Sequence, residues 1–208
     1  METPQALETP LRQRVKNLPP EIKRRLRSSS QIVIFGSYAS GVQTRHSDMD
    51  VFCVGEPKTH FKTPTIEVLI LPEYDVYSDL WLGSELANHI SHYGVPLGPR
   101  PHWFDLANIS HEAVERKERR IDAYVRSLER HWDELSFQAR SRYEIKIRRE
   151  LQRLQLLQKG EPVMPTPILD RALESTAQID AIVSSCASPS LLQRISKLFW
   201  SRSATFAR

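Results

Sequence analysis

Asp48 and Asp50 have the clearest chemical potential in this chain. They stand in Ser47-Asp48-Met49-Asp50, at the head of the apolar run Val51-Phe52-Cys53-Val54. A strand turns successive side chains to opposite faces, so residues two apart point the same way. The pair therefore offers hard oxygen donors on one face. Magnesium takes one or two such carboxylates together with substrate phosphates, and two can also bridge a pair of ions about 4 Å apart. Ten residues ahead of Asp48 lies Gly36-Ser37, closing the apolar run Ile32-Val33-Ile34-Phe35. Glycine lets backbone come close to a ligand. A chain turning from strand into helix presents free N–H groups that suit phosphate, and serine adds a hydroxyl. Either pattern alone is common: two aspartates can simply be a solvated strand edge, and Gly-Ser recurs by chance. Glu67 strengthens the combination, because it sits inside the apolar segment TIEVLIL of residues 65–71. A carboxylate there is costly unless it is paired, metal-bound or exposed.

These residues need a scaffold. The continuous apolar run at 32–35 predicts a strand over 31–35 buried on both faces. Residues 37–40 predict a short helix broken by Gly41, 42–47 a polar loop, and 49–54 a second strand. Met49, Val51 and Cys53 then take the face opposite Asp48, Asp50 and Phe52. Residues 55–64, with Pro57 and Pro64, predict a loop before a third strand at 65–71, which Pro72 closes. Leu82, Leu86 and Ile90 predict one helix over 81–93, ended by Gly94. Upstream, Pro19-Pro20-Glu21 suits a helix start. Residues 1–18, polar and carrying Pro4 and Pro10, predict a loose lead-in.

After the proline-rich segment 94–104 the composition shifts. Ser110 with Glu112 and Glu115 is a helix-start pattern. Ile121, Val125, Leu128, Trp132 and Leu135 make the stripe of a long amphipathic helix. A second helix is predicted over 141–159 with Gly160 as its C-cap, and a third over 168–185. The organisation expected is a lead-in at 1–18, an α/β domain at 19–109, a helical domain at 110–186 and a basic tail at 187–208, which includes a short helix in LLQRISKLFW and then a frayed end.

The bulk figures restrict the class. A chain of 208 residues with 40% hydrophobic and 26% charged content fits a soluble globular protein of one or two domains. No apolar run nears the roughly 18 residues that cross a bilayer, and residues 1–14 hold no signal-like apolar region. Two cysteines, Cys53 and Cys186, argue for a reducing compartment, the cytoplasm, and against a disulfide framework. A net charge of +4 permits polyanion binding without demanding it.

The order strand, Gly-Ser, ten residues, Asp-x-Asp, strand, then a strand with a central acid resembles the nucleotidyltransferase superfamily that includes DNA polymerase β. It resembles more closely the small bacterial MNT (minimal nucleotidyltransferase) group. Phe35-Gly36-Ser37, Gly41, Ser47-Asp48-Met49-Asp50 and Ile66-Glu67-Val68-Leu69 carry the likeness, which spans residues 32–97. The resemblance implies an α/β (α+β) fold with a mixed sheet and flanking helices, here followed by a C-terminal helical domain. It implies that Gly36 and Ser37 hold nucleotide phosphates and that Asp48 and Asp50 bind two Mg²⁺ ions. It implies that Glu67, where the family often has Asp, is a metal ligand and general base, with Asp75 and Asp79 as fallback acids. Arg45 would add positive charge from the loop; Ser40 stands where many relatives carry a basic residue. The implied reaction moves a nucleoside monophosphate from an NTP, ATP being favoured, to a hydroxyl of a protein, an RNA 3′ end or a small molecule, and releases pyrophosphate. The alternative is a catalytically weak binding module acting as an antitoxin towards a toxin partner.

Other patterns carry bland readings beside sharper ones. Arg126 and His131 have the Arg-x4-His spacing of HEPN ribonucleases, on a helix already crowded with arginine. His89, His92 and His102 lack metal-ligand spacing. Tyr93, Trp103 and Phe104 suit either base stacking or packing. Arg24, Arg25 and Arg27 read as a solvated face. Arg140, Arg142, Lys146, Arg148, Arg149 and Arg153 make the second long helix basic, which suits a solvated face first and otherwise nucleic acid or a partner protein.

Overall fold

The computed structural model describes residues 2–173 and 188–199. The expected third helix is therefore described only as far as residue 173. Its remainder, Cys186 and residues 200–208 lie outside the described residues.

The chain divides into two compact units, one of residues 1–109 with 162–168 and one of 110–161 with 169–208. The first is built on a five-stranded mixed sheet: β1 (Gln31–Phe35), β2 (Met49–Val54), β3 (Thr59–Lys62), β4 (Ile66–Leu71) and β5 (Val95–Pro96), in the order β3-β4-β2-β1-β5. β2 runs parallel to β4, and the other neighbouring pairs are antiparallel. The central strands are apolar on both faces because both are covered. Ile34, Met49, Val51, Cys53, Ile66, Val68 and Ile70 pack with α1 (Pro4–Val15) and α2 (Pro20–Ser28) through Leu7, Leu11, Ile22 and Leu26. On the other face Val33, Phe52, Val54 and Leu71 pack with Val76, Ala87, Ile90, Trp103 and Phe104. Those five residues come from α4 (Glu73–Val76), α6 (Glu85–Tyr93) and α7 (Trp103–Leu106).

Four local expectations are corrected. Residues 1–18 are not a loose lead-in: Thr3 caps α1, its side chain accepting from Ala6 N at 3.3 Å, and Leu7 and Leu11 are buried. The loop at 55–64 contains β3, an edge strand whose Thr59 and Phe61 turn inward while His60 and Lys62 stay exposed. The helix expected over 81–93 is split at Gly83-Ser84 into α5 (Asp79–Leu82) and α6, because Ser84 caps a new start through Ala87 N at 3.1 Å. Arg25 is not simply solvated, since its guanidinium donates to Thr59 Oγ1 and pairs with Glu21, tying α2 to β3.

The second unit holds α8 (His111–His131), a 3-10 turn (Trp132–Glu134), α9 (Phe137–Gln158) and α11 (Pro189–Phe199); α10 (Thr166–Leu173) straddles the division. Ser110 and Ser136 cap α8 and α9 by accepting from Ala113 N and Ala139 N. The core joins Ile121, Val125, Leu128 and Trp132 to Ile147, Leu151 and Leu154, and to Leu191, Ile195 and Leu198. Within the tail expected at 187–208, residues 189–199 are thus a packed helix. No helix among the described residues is long and apolar enough to cross a membrane.

Candidate active site

Strand register assembles the site. Across the sheet, Phe35 pairs with Asp50, Asp50 with Glu67, and Glu67 with Lys62. Neighbouring strands lie about 4.8 Å apart and paired residues share a face, so one row sets Asp50 beside Glu67. Asp48 lies two residues before Asp50 and shares that face. Carboxylate oxygens of Asp48, Asp50 and Glu67 all lie within 4.8 Å of one another. The two loops that feed the acids are braced. Thr44 N donates to Ser47 Oγ at 2.9 Å, and Met49 N to Thr65 O at 3.0 Å.

Gly36 closes the site from the β1 side. Its φ is +67°, and a Cβ placed there would lie 2.1 Å from Asp50 Oδ2. Any side chain would be strained by the backbone and would collide with the carboxylate. The next residues, Ser37 to Ala39, form the single helical turn α3 (Gly36–Ala39). That turn is held from outside by the N-terminal segment: Arg14 Nε donates to Thr65 O at 3.0 Å, its Nη2 donates to Tyr38 Oη, and Glu2 N donates to Ala39 O at 3.1 Å. Residues expected to be loose thus brace the turn.

The electrostatics are those of crowded negative charge. Burial, then the charges of Asp48 and Glu67, push Asp50 up to about 7, with Lys62 opposing them. Burial also pushes Glu67 up, but hydrogen bonds from Lys62 and His60 outweigh it and hold Glu67 below its ordinary value. Lys62, in turn, is raised, first by its hydrogen bond to Glu67. An all-carboxylate donor set this close fits a hard divalent cation, Mg²⁺ or Mn²⁺. Such an ion would also relieve the repulsion that raises Asp50.

The other candidates fall elsewhere. Ser37 is half-buried in the first turn of α3. Arg45 is exposed in the loop, where its Nε donates to His46 Nε2 at 2.8 Å, and the structure does not bring it to the acids. Ser40 is turned to its own backbone, donating to Gly36 O at 3.0 Å. Asp75 pairs with Lys58 at 3.1 Å and Asp79 is exposed; both follow the far end of β4 from Glu67, so neither joins the acids. Trp103 and Phe104 are core residues, and the indole N–H of Trp103 donates to Gln31 Oε1 at 3.1 Å. His89 meets Val163 O through Nδ1, and His92 meets Asn88 O. Arg126 pairs with Asp122 and His131 with Glu134, so the Arg-x4-His spacing builds no common site. Three cations of α9 meet carboxylates, Arg148 with Glu144, Arg149 with Asp170 and Arg153 with Glu150, and Lys146 lies over the Tyr124 ring, so the basic face is only partly neutralised.

Two residues absent from the sequence-level candidates reach the acids. Lys62 Nζ lies 3.3 Å from Asp48 Oδ2 and donates to Glu67 Oε2, and His60 Nε2 lies 2.7 Å from Glu67 Oε1. The sole trace of them in the sequence is the alternation in Thr59-His60-Phe61-Lys62, four residues that are too few to set a strand period.

Among curated proteins none matches this chain. The family described as "Nucleotidyltransferase domain" matches residues 15–157, well over half of the sequence. That span takes in α2, the whole sheet and the two long helices of the second unit almost to their end. With the mixed sheet and the three acids already in place, the match is decisive: the chain belongs to the nucleotidyltransferase domain family.

Proposed function

We propose that the protein transfers a nucleoside monophosphate from an NTP, ATP being the favoured donor, to an acceptor hydroxyl, with release of pyrophosphate and a requirement for Mg²⁺. The observation that carries this reading is the convergence of Asp48, Asp50 and Glu67 beside the glycine turn at residue 36. Divalent ions held by these acids would supply neutralisation of the triphosphate and a more acidic acceptor hydroxyl. Gly36 lets the turn lie against Asp50, and Ser37 offers a hydroxyl and a backbone N–H to phosphate. Glu67 takes the acceptor proton, with His60 at its Oε1 holding the carboxylate in place. Arg45, on its exposed loop, would add positive charge for the outer phosphates. Catalysis in such a site comes from positioning and preorganised charge rather than from a covalent intermediate. The acceptor is a protein, an RNA 3′ end or a small molecule, and the cytoplasm is the expected compartment.

A second reading, a catalytically weak antitoxin-like module that binds a toxin partner, draws on one observation. Lys62 already occupies oxygens of Asp48 and Glu67. One experiment separates the two. Full-length protein is incubated with Mg²⁺ and α-labelled NTPs, with total protein, total RNA or a small-alcohol panel as acceptor. Transfer of label that Asp48→Ala abolishes supports the enzyme. No triphosphate consumption with any acceptor, together with Asp48→Ala behaving as wild type in cells, overturns it.

A further inference from the structure

The acids do not face solvent alone. Lys62 leaves β3 directly beside Glu67, its partner in the β3–β4 ladder. Its ammonium touches two of the three carboxylates, Asp48 Oδ2 at 3.3 Å and Glu67 Oε2. Glu67 Oε1 is taken by His60 at 2.7 Å. An ammonium offers three donors and a full positive charge on a flexible stem. It therefore satisfies, in part, the same oxygens that a divalent cation needs. The stem is not locked in: the Lys62 side chain is 57% exposed, and β3 is the edge strand of the sheet. It can swing aside without moving the core.

We propose that Lys62 is a specificity-determining residue of the metal centre, a tethered ammonium that competes with the cation for Asp48 and Glu67. This rests on the reading of the three acids as a cation site. It goes beyond that reading by assigning the loading threshold to a residue outside the acids. Cation entry must displace the ammonium, so the apparent affinity is lowered by the strength with which Lys62 holds the two carboxylates. Its head and the cation are alternative partners for the same oxygens, so loading turns the head to solvent. The cation concentration that loads the centre is then set by β3 as much as by the acids.

The test is Mn²⁺ binding to the full chain without nucleotide, followed by the EPR signal of free Mn²⁺ at constant ionic strength. Lys62→Met is expected to tighten binding about tenfold, the scale of one to two charge-assisted hydrogen bonds at a partly exposed position. Lys58→Met removes the same charge from the other end of the β3 hairpin, where Lys58 meets Asp75 rather than the three acids. It is expected to change binding less than about twofold, since an exposed charge acts weakly through screened solvent. Lys62→Arg keeps a cation at the site and is expected to bind within about threefold of wild type. Lys62→Gln stands in should the Met variant fold poorly, with circular dichroism as the check. Asp50→Ala placed in the Lys62→Met background is expected to abolish the gain. Lys62→Met binding no tighter than wild type, or no tighter than Lys58→Met, overturns the proposal while leaving the cation site intact. Mn²⁺ failing to bind wild type and Lys62→Met alike overturns the cation site itself, and this proposal with it.

Discussion

Each unit of the molecule holds a cluster of carboxylates and cations, one around Glu67 and one around Glu150, and the two are built to opposite balances. In the first unit three acids share two basic neighbours, Lys62 and His60. In the second, the single carboxylate of Glu150 is met by Lys117 at 2.6 Å, Arg153 at 2.7 Å and Arg120 at 3.8 Å. The consequences for proton affinity are opposite. Burial and like charge lift Asp50 to about 7. Burial lifts Glu150 too, but Lys117 and Arg153 outweigh it and hold it below its usual value. Exposure differs as well, with the Lys117 side chain 2% exposed against 57% for Lys62. A cluster with more cations than acids is finished: it pins α8 to α9. A cluster with more acids than cations, reachable from solvent, still calls for positive charge. The lesson is that net balance and access, rather than the presence of a lysine–carboxylate pair, separate a cluster open to a further cation from a structural clasp.

The comparison can be broken most severely at the acids. Asp50→Ala and Asp48→Ala are expected to lower nucleotide transfer about 10³-fold or more, the scale of losing a principal electrostatic element of a transition state, read as the initial rate of pyrophosphate release. Glu150→Gln should leave that rate within about twofold per folded molecule, because the site it disrupts is structural. In exchange it should destabilise the second unit by about 3 kcal/mol in urea unfolding, since it removes the charge that meets the buried Lys117 ammonium. A Glu150→Gln protein with wild-type stability would remove the contrast.

A pH series sharpens the same contrast. Asp50 has an unfolded value near 3.8 and a folded value of about 7. Between these values the folded protein binds more protons than the unfolded chain, so metal-free stability falls as pH rises from about 4 to about 7. The melting temperature of wild type relative to Asp50→Asn should therefore decline across that window. Mg²⁺ should raise the wild-type melting temperature more at pH 8 than at pH 5. A difference between the two proteins that does not change with pH would contradict the crowding at Asp50. Glu150 is lowered, so its contribution is present above its ordinary value and is lost on acidification. The smallest effect belongs to Arg120, whose side chain is 74% exposed. Arg120→Ala should cost about 0.5 kcal/mol or less, measured by the same urea titration.

The acid cluster of the first unit was legible because it depends on short-range periodicity. Asp48 and Asp50 share a face by strand alternation alone, and Glu67 announces itself as an acid in an apolar run. What escaped was held by elements too short to show a period. β3 has four residues between prolines at 57 and 64, so His60 and Lys62 read as loop. Helix α1 buries only Leu7 and Leu11, one turn apart, and two prolines mask it. The stripe Leu82, Leu86, Ile90 ran on through Gly83-Ser84 because an apolar stripe does not register a serine that restarts the helix. The basic composition of α9 was plain, but its partial neutralisation is a matter of pairing. One partner, Asp170, lies 21 residues along the chain from Arg149, a distance that no local pattern encodes.

Gly36 carries a consequence for inheritance. Because a methyl group there would stand 2.1 Å from Asp50 Oδ2, residues 36 and 50 do not vary independently. A lineage that kept the acid with its carboxylate in this place would have to keep the glycine. One that lost the acid would be released to accept a small residue at 36, still subject to the +67° backbone. The two positions form a single heritable unit, and a descendant carrying a side chain at 36 would announce, before any assay, that the carboxylate at 50 had moved or gone.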